Sequence, residues 1–185
     1  MSRYDHILAK SDKYGKTTLL SHIKSVASFA QKAAQYAGLN IEIARLGGLL
    51  HDIGKASPLF QKTAKGIRQN PLDMSFRHEI ASIFFLKIVD KAFWPQMVDM
   101  IIAHHKSTLK DGRELGILDL DYYYGDEVFE YHAKDFELWN EDALEILKEA
   151  GLNVIPVSKE DARITYQYAL RHCKQKSKGW SVWKG

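Results

Sequence analysis

The sequence predicts an all-α fold, and three observations carry this prediction. First, apolar residues recur at helical spacing through Leu19–Ala37, which is the pattern of an amphipathic helix. Second, apolar residues dominate Ile43–Leu50, Phe76–Val89 and Pro95–His105, each long enough for two or more helical turns. Third, no segment of the 185 residues shows the sustained alternation of polar and apolar residues that is typical of half-buried strands.

Capping residues mark the boundaries of the first two predicted helices. Thr17 or Thr18 can cap the first helix, because a hydroxyl oxygen accepts a hydrogen bond from an early backbone N–H. Gly38 is predicted to end that helix, since glycine tolerates a left-handed backbone, and Asn40 can cap the second helix. The residues before about Lys16 are polar and lack periodicity.

The later part of the sequence is less regular. Residues 108–137 are rich in Asp and Glu with weak periodicity, which predicts an ordered but irregular loop or insertion. The Tyr122–Tyr124 run could stack on bases, but its acidic surroundings would repel a phosphate backbone and favour packing over the core. A short helix is predicted from Asp142 to Ala150, and a last helix from about Lys159 to Lys174.

The composition is that of an ordinary globular protein. Hydrophobic residues make up 45% and charged residues 26%, so a single domain over residues 1–185 can bury a core. The single cysteine, Cys173, excludes an internal disulfide and a zinc site built from cysteines. No apolar run reaches membrane-spanning length and no signal peptide is recognisable, which predicts a cytoplasmic protein away from membranes. The net charge of +3 permits an anionic partner without requiring one.

The chemistry of the sequence centres on His51 and Asp52, which follow the apolar run at 43–50. An imidazole and a carboxylate together suit first-row divalent metals, and their adjacency lets one segment bind one ion or bridge two. Gly54 is predicted to turn the backbone in a left-handed conformation. Lys55 could bind a phosphate oxygen beside the metal, or it could be a solvated side chain.

Four other histidines lie at helix ends or at the border of an apolar face: His22, His78, His104 and His105. A single histidine in such a place is more often structural than metal-binding, but their joint placement with His51 and Asp52 indicates a common site. His104 and His105 point about 100° apart on a helix, so both reach one site only at its rim or across two ions. Two ions bridged by Asp52 would explain both doublets.

The charged residues near these histidines have a functional and an ordinary interpretation. They could form a basic rim for nucleic acid or simply be solvated, and they are Lys62, Lys65, Arg68, Lys106 and Lys110. Arg77 and Glu79 flank His78 and are predicted to be surface partners rather than catalytic groups. His6, His132 and His172 lack an organised context in the sequence, so we predict no role for them in the site.

One ordered set of residues resembles a known family. It consists of His22, then His51-Asp52-Ile53-Gly54-Lys55-Ala56-Ser57 with Phe60-Gln61, then Arg77-His78-Glu79, then Ala103-His104-His105. The set is similar to the HD superfamily and, more narrowly, to the HD nuclease domain of the CRISPR-associated nuclease–helicase of type I systems. The resemblance covers about residues 10–110 clearly and the remainder loosely.

The resemblance implies an all-helical, metal-dependent nuclease that degrades single-stranded DNA in antiviral defence. Such a nuclease acts after an RNA-guided CRISPR surveillance complex has opened the target duplex, with a helicase domain or subunit downstream. By position, the resemblance implies six metal ligands: His22, His51, Asp52, His78, His104 and His105. It implies catalytic roles for Asp52, which bridges when two ions are present, and for Lys55 beside it. The one or two ions would be manganese, nickel, cobalt, iron or magnesium.

One departure from the family concerns the end of the chain. In the family, a further helix with another aspartate ligand follows, and then a helicase. This sequence ends at Trp180–Gly185, about where that helix would begin, and Asp161 comes too early to replace the ligand. We therefore expect a truncated domain or a split protein, and the sequence carries no helicase motif.

Two other functions stay open at this stage. A phosphohydrolase acting on nucleotides or cyclic nucleotides would use the same metal ligands, but the basic stretch Lys62–Arg68 and Phe60-Gln61 favour a polymeric substrate. A non-catalytic binding module or an inactive fragment is the second alternative. A closed structural metal site is disfavoured because no cysteine ligands contribute and too many histidines fall at helix ends.

Overall fold

The first two helices begin and end where the capping residues predict. The computed structural model describes residues 3–10, 15–67, 74–104 and 117–181, with the side chains of 119 and 177–181 outside this description. Helix α1 spans Leu19–Ala37; the Thr18 hydroxyl accepts a hydrogen bond from the Ser21 N–H at 3.2 Å, and Gly38 ends the helix at φ 66°. Helix α2 spans Ile41–Leu50, and Asn40 Oδ1 accepts from the Ile43 N–H at 3.0 Å.

The all-α prediction is confirmed across the described residues. The remaining helices are α3 (Pro58–Ala64), α4 (His78–Ile83), α5 (Trp94–Ala103), α6 (Ile117–Tyr124), α7 (Glu127–His132), α8 (Phe136–Glu149) and α9 (Lys159–Ser181). Short 3-10 turns cover Ile53–Ala56, Leu86–Ile88 and Lys91–Phe93. Two very short antiparallel strands, β1 (Leu8–Lys10) and β2 (Thr17–Thr18), precede α1. No helix among the described residues is both long enough and apolar enough to cross a bilayer.

Glycines allow helices α1 and α2 to cross at very short range. A Cβ atom added at Gly48 would lie 2.6 Å from the Cα of Ala27 on α1, so no larger residue fits between the two backbones. Gly47 faces the Met100 side chain of α5. The crossing therefore brings His22 of α1 and His51 at the end of α2 to the same end of the bundle.

The predicted irregular insertion at 108–137 is wrong for the part that the structure describes. Residues 117–137 form α6, α7 and the start of α8, while 108–116 lie outside the described residues. Buried residues such as Leu120, Val128 and Phe129 fix these short helices onto the core. Tyr122–Tyr124 do not pack over that core, because Tyr122 is 82% exposed and its two neighbours are exposed as well.

The segment before α1 is also more ordered than its polar composition suggests. Tyr4, Ile7 and Leu8 are buried. The Leu8 N–H donates to Gln61 Oε1 at 3.0 Å, and Gln61 Nε2 donates to the carbonyl oxygens of Leu8 at 2.8 Å and Lys55 at 2.7 Å. One side-chain amide thus fastens β1 to the turn that contains Lys55.

Candidate metal centre

The site is built around the sharp change of direction after helix α2. The His51 N–H still donates to the Gly47 carbonyl at 2.9 Å, as in a regular helix. Asp52 then leaves helical geometry, and the 3-10 turn Ile53–Ala56 begins. In this turn the Lys55 N–H donates to the Asp52 carbonyl at 2.9 Å, and the Lys55 ammonium reaches Asp52 Oδ2 at 2.7 Å. The turn therefore directs Asp52 into the bundle with Lys55 beside it.

Asp52 is 2% exposed, and both of its carboxylate oxygens contact imidazoles. Oδ2 lies 2.7 Å from Nε2 of His22 and 3.1 Å from Nε2 of His51. Oδ1 lies 2.9 Å from Nε2 of His78 and 3.3 Å from Nε2 of His104. Helices α1, α2, α4 and α5 each supply or end beside one of these imidazoles, so residues distant in sequence meet at a single carboxylate.

The surroundings of Asp52 keep its carboxylate ionised. Burial raises the pKa of Asp52, but hydrogen bonds from His104, His22, His51 and His78 lower it further, and the net pKa lies far below the ordinary aspartate value. Burial also lowers the pKa of His78, which favours the neutral imidazole that binds metals. The cluster thus combines an ionised carboxylate with an imidazole at His78 whose neutral form is favoured.

Backbone carbonyls orient two of the imidazoles. Nδ1 of His51 lies 3.0 Å from the Gly48 carbonyl oxygen, and Nδ1 of His104 lies 2.6 Å from the Ile101 carbonyl oxygen. Because a carbonyl only accepts, Nδ1 donates in both rings, and Nε2 is the nitrogen of each ring that is left to bind a metal ion beside Asp52. Imidazole nitrogens gathered around a buried carboxylate are a donor set that fits a divalent metal.

The ligand atoms divide into two overlapping sets. His22, His51 and Asp52 form one set, and Asp52, His78 and His104 form the other, with the ligand atoms of each set within 4.8 Å of one another. Each set offers two imidazole nitrogens and one carboxylate oxygen, and Asp52 belongs to both. The five residues could therefore hold one or two divalent ions, with Asp52 common to both ligand sets. The sixth residue assigned by sequence, His105, lies outside the described residues.

Comparison with known proteins identifies the family. The family model described as HD domain matches residues 19–152, which is well over half of the chain and spans all five clustered residues. The chain belongs to the HD domain family. HD domains are metal-dependent phosphohydrolases, as the histidine–aspartate cluster in this chain indicates. Comparison with curated proteins and with solved structures finds no match.

Lys55 of this HD domain is not the solvated side chain that sequence alone left open. It is buried, its ammonium pairs with Asp52, and it lies 5.5 Å from the centroid of the Phe60 ring. The Phe60 ring also contacts the His78 ring edge-on, with centroids 5.4 Å apart. Lys55 is therefore held at the edge of the metal-binding cluster, where its three N–H groups can serve both Asp52 and an anion.

Gly54 is required because its backbone packs closely against α4. Its backbone is not left-handed, which corrects the sequence prediction. Gly54 is not among the glycines that have a positive φ in the described part of the chain. A Cβ at this position would contact the His78 carbonyl and lie 2.7 Å from the Ser82 nitrogen and 2.8 Å from the Ala81 Cβ. The Gly54 N–H donates to Ser82 Oγ at 2.9 Å. These contacts press the turn against α4 and bring His78 to Asp52.

Glu79, which was predicted to be a surface partner, and His132, for which no role was predicted, both lie in the interior beside the segment that carries His78. Glu79 is buried and accepts a hydrogen bond from Arg77 Nε at 2.7 Å, so the pair is correct but its surface location is wrong. His132, which sequence reasoning set aside, is fully buried. Its Nε2 accepts from the Arg77 N–H at 2.9 Å and its Nδ1 donates to the Val128 carbonyl at 2.7 Å. Its position four residues after Val128 was the sequence signal for this helical contact.

His132 should make the stability of the domain depend on pH. Burial lowers the pKa of His132 to about 4 from an ordinary value of 6.5. Below about pH 6.5 the unfolded chain binds a proton on this ring that the folded chain does not, so stability falls as the pH decreases from about 6.5 to 4. The total loss is about 3 kcal/mol. Urea unfolding at pH 7, 5.5 and 4 measures it.

The matched variant is His132→Gln, whose amide can accept from Arg77 and donate to Val128 but does not titrate. Its stability should fall less steeply with pH than that of the wild type, by the amount assigned to His132. Identical pH dependence in the two proteins would show that His132 does not carry the effect.

Proposed function

We propose that this HD domain is a metal-dependent nuclease that cleaves single-stranded DNA in type I CRISPR interference. It would act in the cytoplasm with an RNA-guided surveillance complex and with a helicase domain or subunit. The observation that carries the catalytic part is the contact of one buried carboxylate, Asp52, with four imidazoles through both oxygens. The choice of substrate rests on the ordered resemblance that runs from His22 to His105.

The residues of the chain have distinct tasks in this proposal. Divalent ions would lower the pKa of a bound water and offset the charge that develops on the phosphate during hydrolysis. Asp52 sets the spacing between the two ligand sets, and the carbonyls of Gly48 and Ile101 hold His51 and His104 in the metal-binding tautomer. Lys55 would bind a phosphate oxygen from the edge of the cluster. The reaction needs no side-chain nucleophile.

The structure assigns a structural task to one residue that sequence linked to a polymeric substrate. Both polar atoms of the Gln61 amide are used by backbone groups of Leu8 and Lys55. Gln61 therefore fixes the Lys55 turn rather than contacting a substrate. The preference for DNA over nucleotides consequently rests on the motif as a whole and must be tested directly.

Removal of metal should abolish activity. We expect EDTA to eliminate cleavage of a fluorescent single-stranded oligonucleotide, because the proposed water activation depends on the ion. Manganese or nickel added to dialysed protein should restore cleavage, and elemental analysis should find one or two ions per chain. Gel analysis of products over time measures the cleavage.

A nucleotide panel provides the decisive comparison. Nucleoside mono- and triphosphates and cyclic nucleotides, tested with the same metal, should be hydrolysed far more slowly than the oligonucleotide. Fast hydrolysis of a nucleotide with an intact oligonucleotide would favour a nucleotide phosphohydrolase. Cleavage that survives both EDTA and Asp52→Ala would overturn the metal mechanism, and protein without bound metal would support a non-catalytic module.

A further inference from the structure

Helix α1 exposes two aromatic side chains in line with a residue of the metal centre. Phe29 is 75% exposed and Tyr36 is 94% exposed. His22, Phe29 and Tyr36 are spaced seven residues apart, and seven residues return to within about 20° of the same helical direction. The three side chains therefore form one line along the outer face of α1, and Phe29 and Tyr36 are called the aromatic line below.

The distances along this line suit a polymer that extends away from the site. At 1.5 Å per residue, Phe29 lies about 10 Å and Tyr36 about 21 Å from His22 along the helix axis. Stacked nucleotides of one strand are spaced about 3.4 Å apart. A strand of about six stacked nucleotides would therefore reach from the metal centre to Tyr36, whereas a dinucleotide would not reach Phe29.

The charge of α1 favours an anionic occupant. The helix contains Lys24 and Lys32 and no Asp or Glu, and Lys32 lies between the two aromatic residues on the exposed side. The exposed tyrosines of α6 provide a contrast, since Tyr122 and Tyr123 are flanked by Asp121 and Asp126. Exposed aromatic rings beside cations are typical of single-strand binding, because every base offers a face for stacking.

We propose that the aromatic line is a stacking track for the bases of an unpaired nucleic-acid strand whose backbone enters the metal centre beside His22. This inference rests on the proposed nuclease function and adds the route of the strand over the surface. Leu39 and Ile41 are also exposed beyond the end of α1, so a protein partner is the competing occupant. Continuity with His22 and the absence of acidic residues on α1 favour the nucleic acid.

The test compares a long and a short substrate in the double variant Phe29→Ala/Tyr36→Ala. With manganese, kcat/KM for a 12-nucleotide oligothymidylate should fall about 30- to 200-fold, the lower part of the range expected for loss of two stacking contacts. Hydrolysis of bis(p-nitrophenyl) phosphate, which cannot reach Phe29, should not change. The matched control is Tyr122→Ala/Tyr123→Ala, which removes two exposed rings elsewhere and should change neither rate.

A binding measurement separates the track from the proposed activity. Fluorescence anisotropy of the labelled oligothymidylate in EDTA requires no hydrolysis, and the double variant should weaken binding about as much as it lowers kcat/KM. Phe29→Trp should preserve binding and Phe29→Leu should not, because stacking needs a ring. If the wild-type protein with manganese showed no diesterase activity but the variants showed this binding pattern, the nuclease function would be refuted and the track would stay supported. Unchanged oligonucleotide binding in the double variant would overturn the track. So would a double variant that differs from the wild type only in its self-association, as measured by gel filtration.

Discussion

Asp52→Asn should reduce phosphodiester hydrolysis by about 10³-fold or more and abolish stoichiometric metal binding. The substitution removes the negative charge that both ligand sets share, and metal ions supply several kcal/mol of charge stabilisation in such reactions. It also leaves the buried ammonium of Lys55 without its carboxylate at 2.7 Å, which typically destabilises a protein by several kcal/mol. Hydrolysis rates, elemental analysis and urea unfolding measure the three effects.

Asp99→Asn is the matched control for this prediction. Asp99 contacts His172 at 2.9 Å and pairs with Lys176, so it has the same kinds of partner as Asp52. It is 42% exposed on its side chain, and exposed ion pairs contribute about 1 kcal/mol or less. Metal content and activity should therefore stay at wild-type levels. Equal losses in the two variants would mean that Asp52 is only a structural carboxylate.

Gly54→Ala should lower activity by about 10²-fold and the free energy of unfolding by about 3 kcal/mol. The new methyl group would contact the His78 carbonyl and the Ser82 nitrogen, and overpacking against a backbone costs about this much. Relief of the clash must move the turn away from α4, which separates Asp52 from His78. A displacement of about 1 Å is enough for the loss of rate. Urea unfolding and hydrolysis assays measure both effects.

Gly66→Ala provides the comparison for Gly54→Ala. Gly66 has φ 78°, and a Cβ there has nothing within 4 Å. The substitution should cost about 1 kcal/mol through backbone strain alone, and activity should be unchanged. If Gly54→Ala cost no more than Gly66→Ala and stayed active, the close approach of the turn to α4 would not be needed for the site.

The sequence predicted best where a local chemical signal marks a boundary. Thr18, Gly38 and Asn40 each act through one hydrogen bond or one backbone conformation, so the limits of α1 and α2 could be predicted. By contrast, α8 begins at Phe136, although a start near Asp142 was predicted. Asp135 precedes it in a left-handed conformation and its side chain caps nothing. A helix start without a cap leaves no signal in the sequence.

The candidate site shows the same division between local and long-range information. Four of the histidines assigned as ligands meet at Asp52, and their residue types and helical positions indicated this. The supporting contacts could not be predicted, because they join segments far apart in sequence. Gly54 against His78 and His132 against Arg77 are examples. A glycine or a histidine has many uses, and only the packing of α4 and α7 shows which one applies.

The side chains that contact the two carboxylate oxygens of Asp52 are synthesised at different times during translation. The partners of Oδ2 are His22, His51 and Lys55, which belong to α1 and to the turn that follows α2. The partners of Oδ1 are His78 and His104, which are translated later. A growing polypeptide therefore carries the complete ligand set of one half before the other half exists.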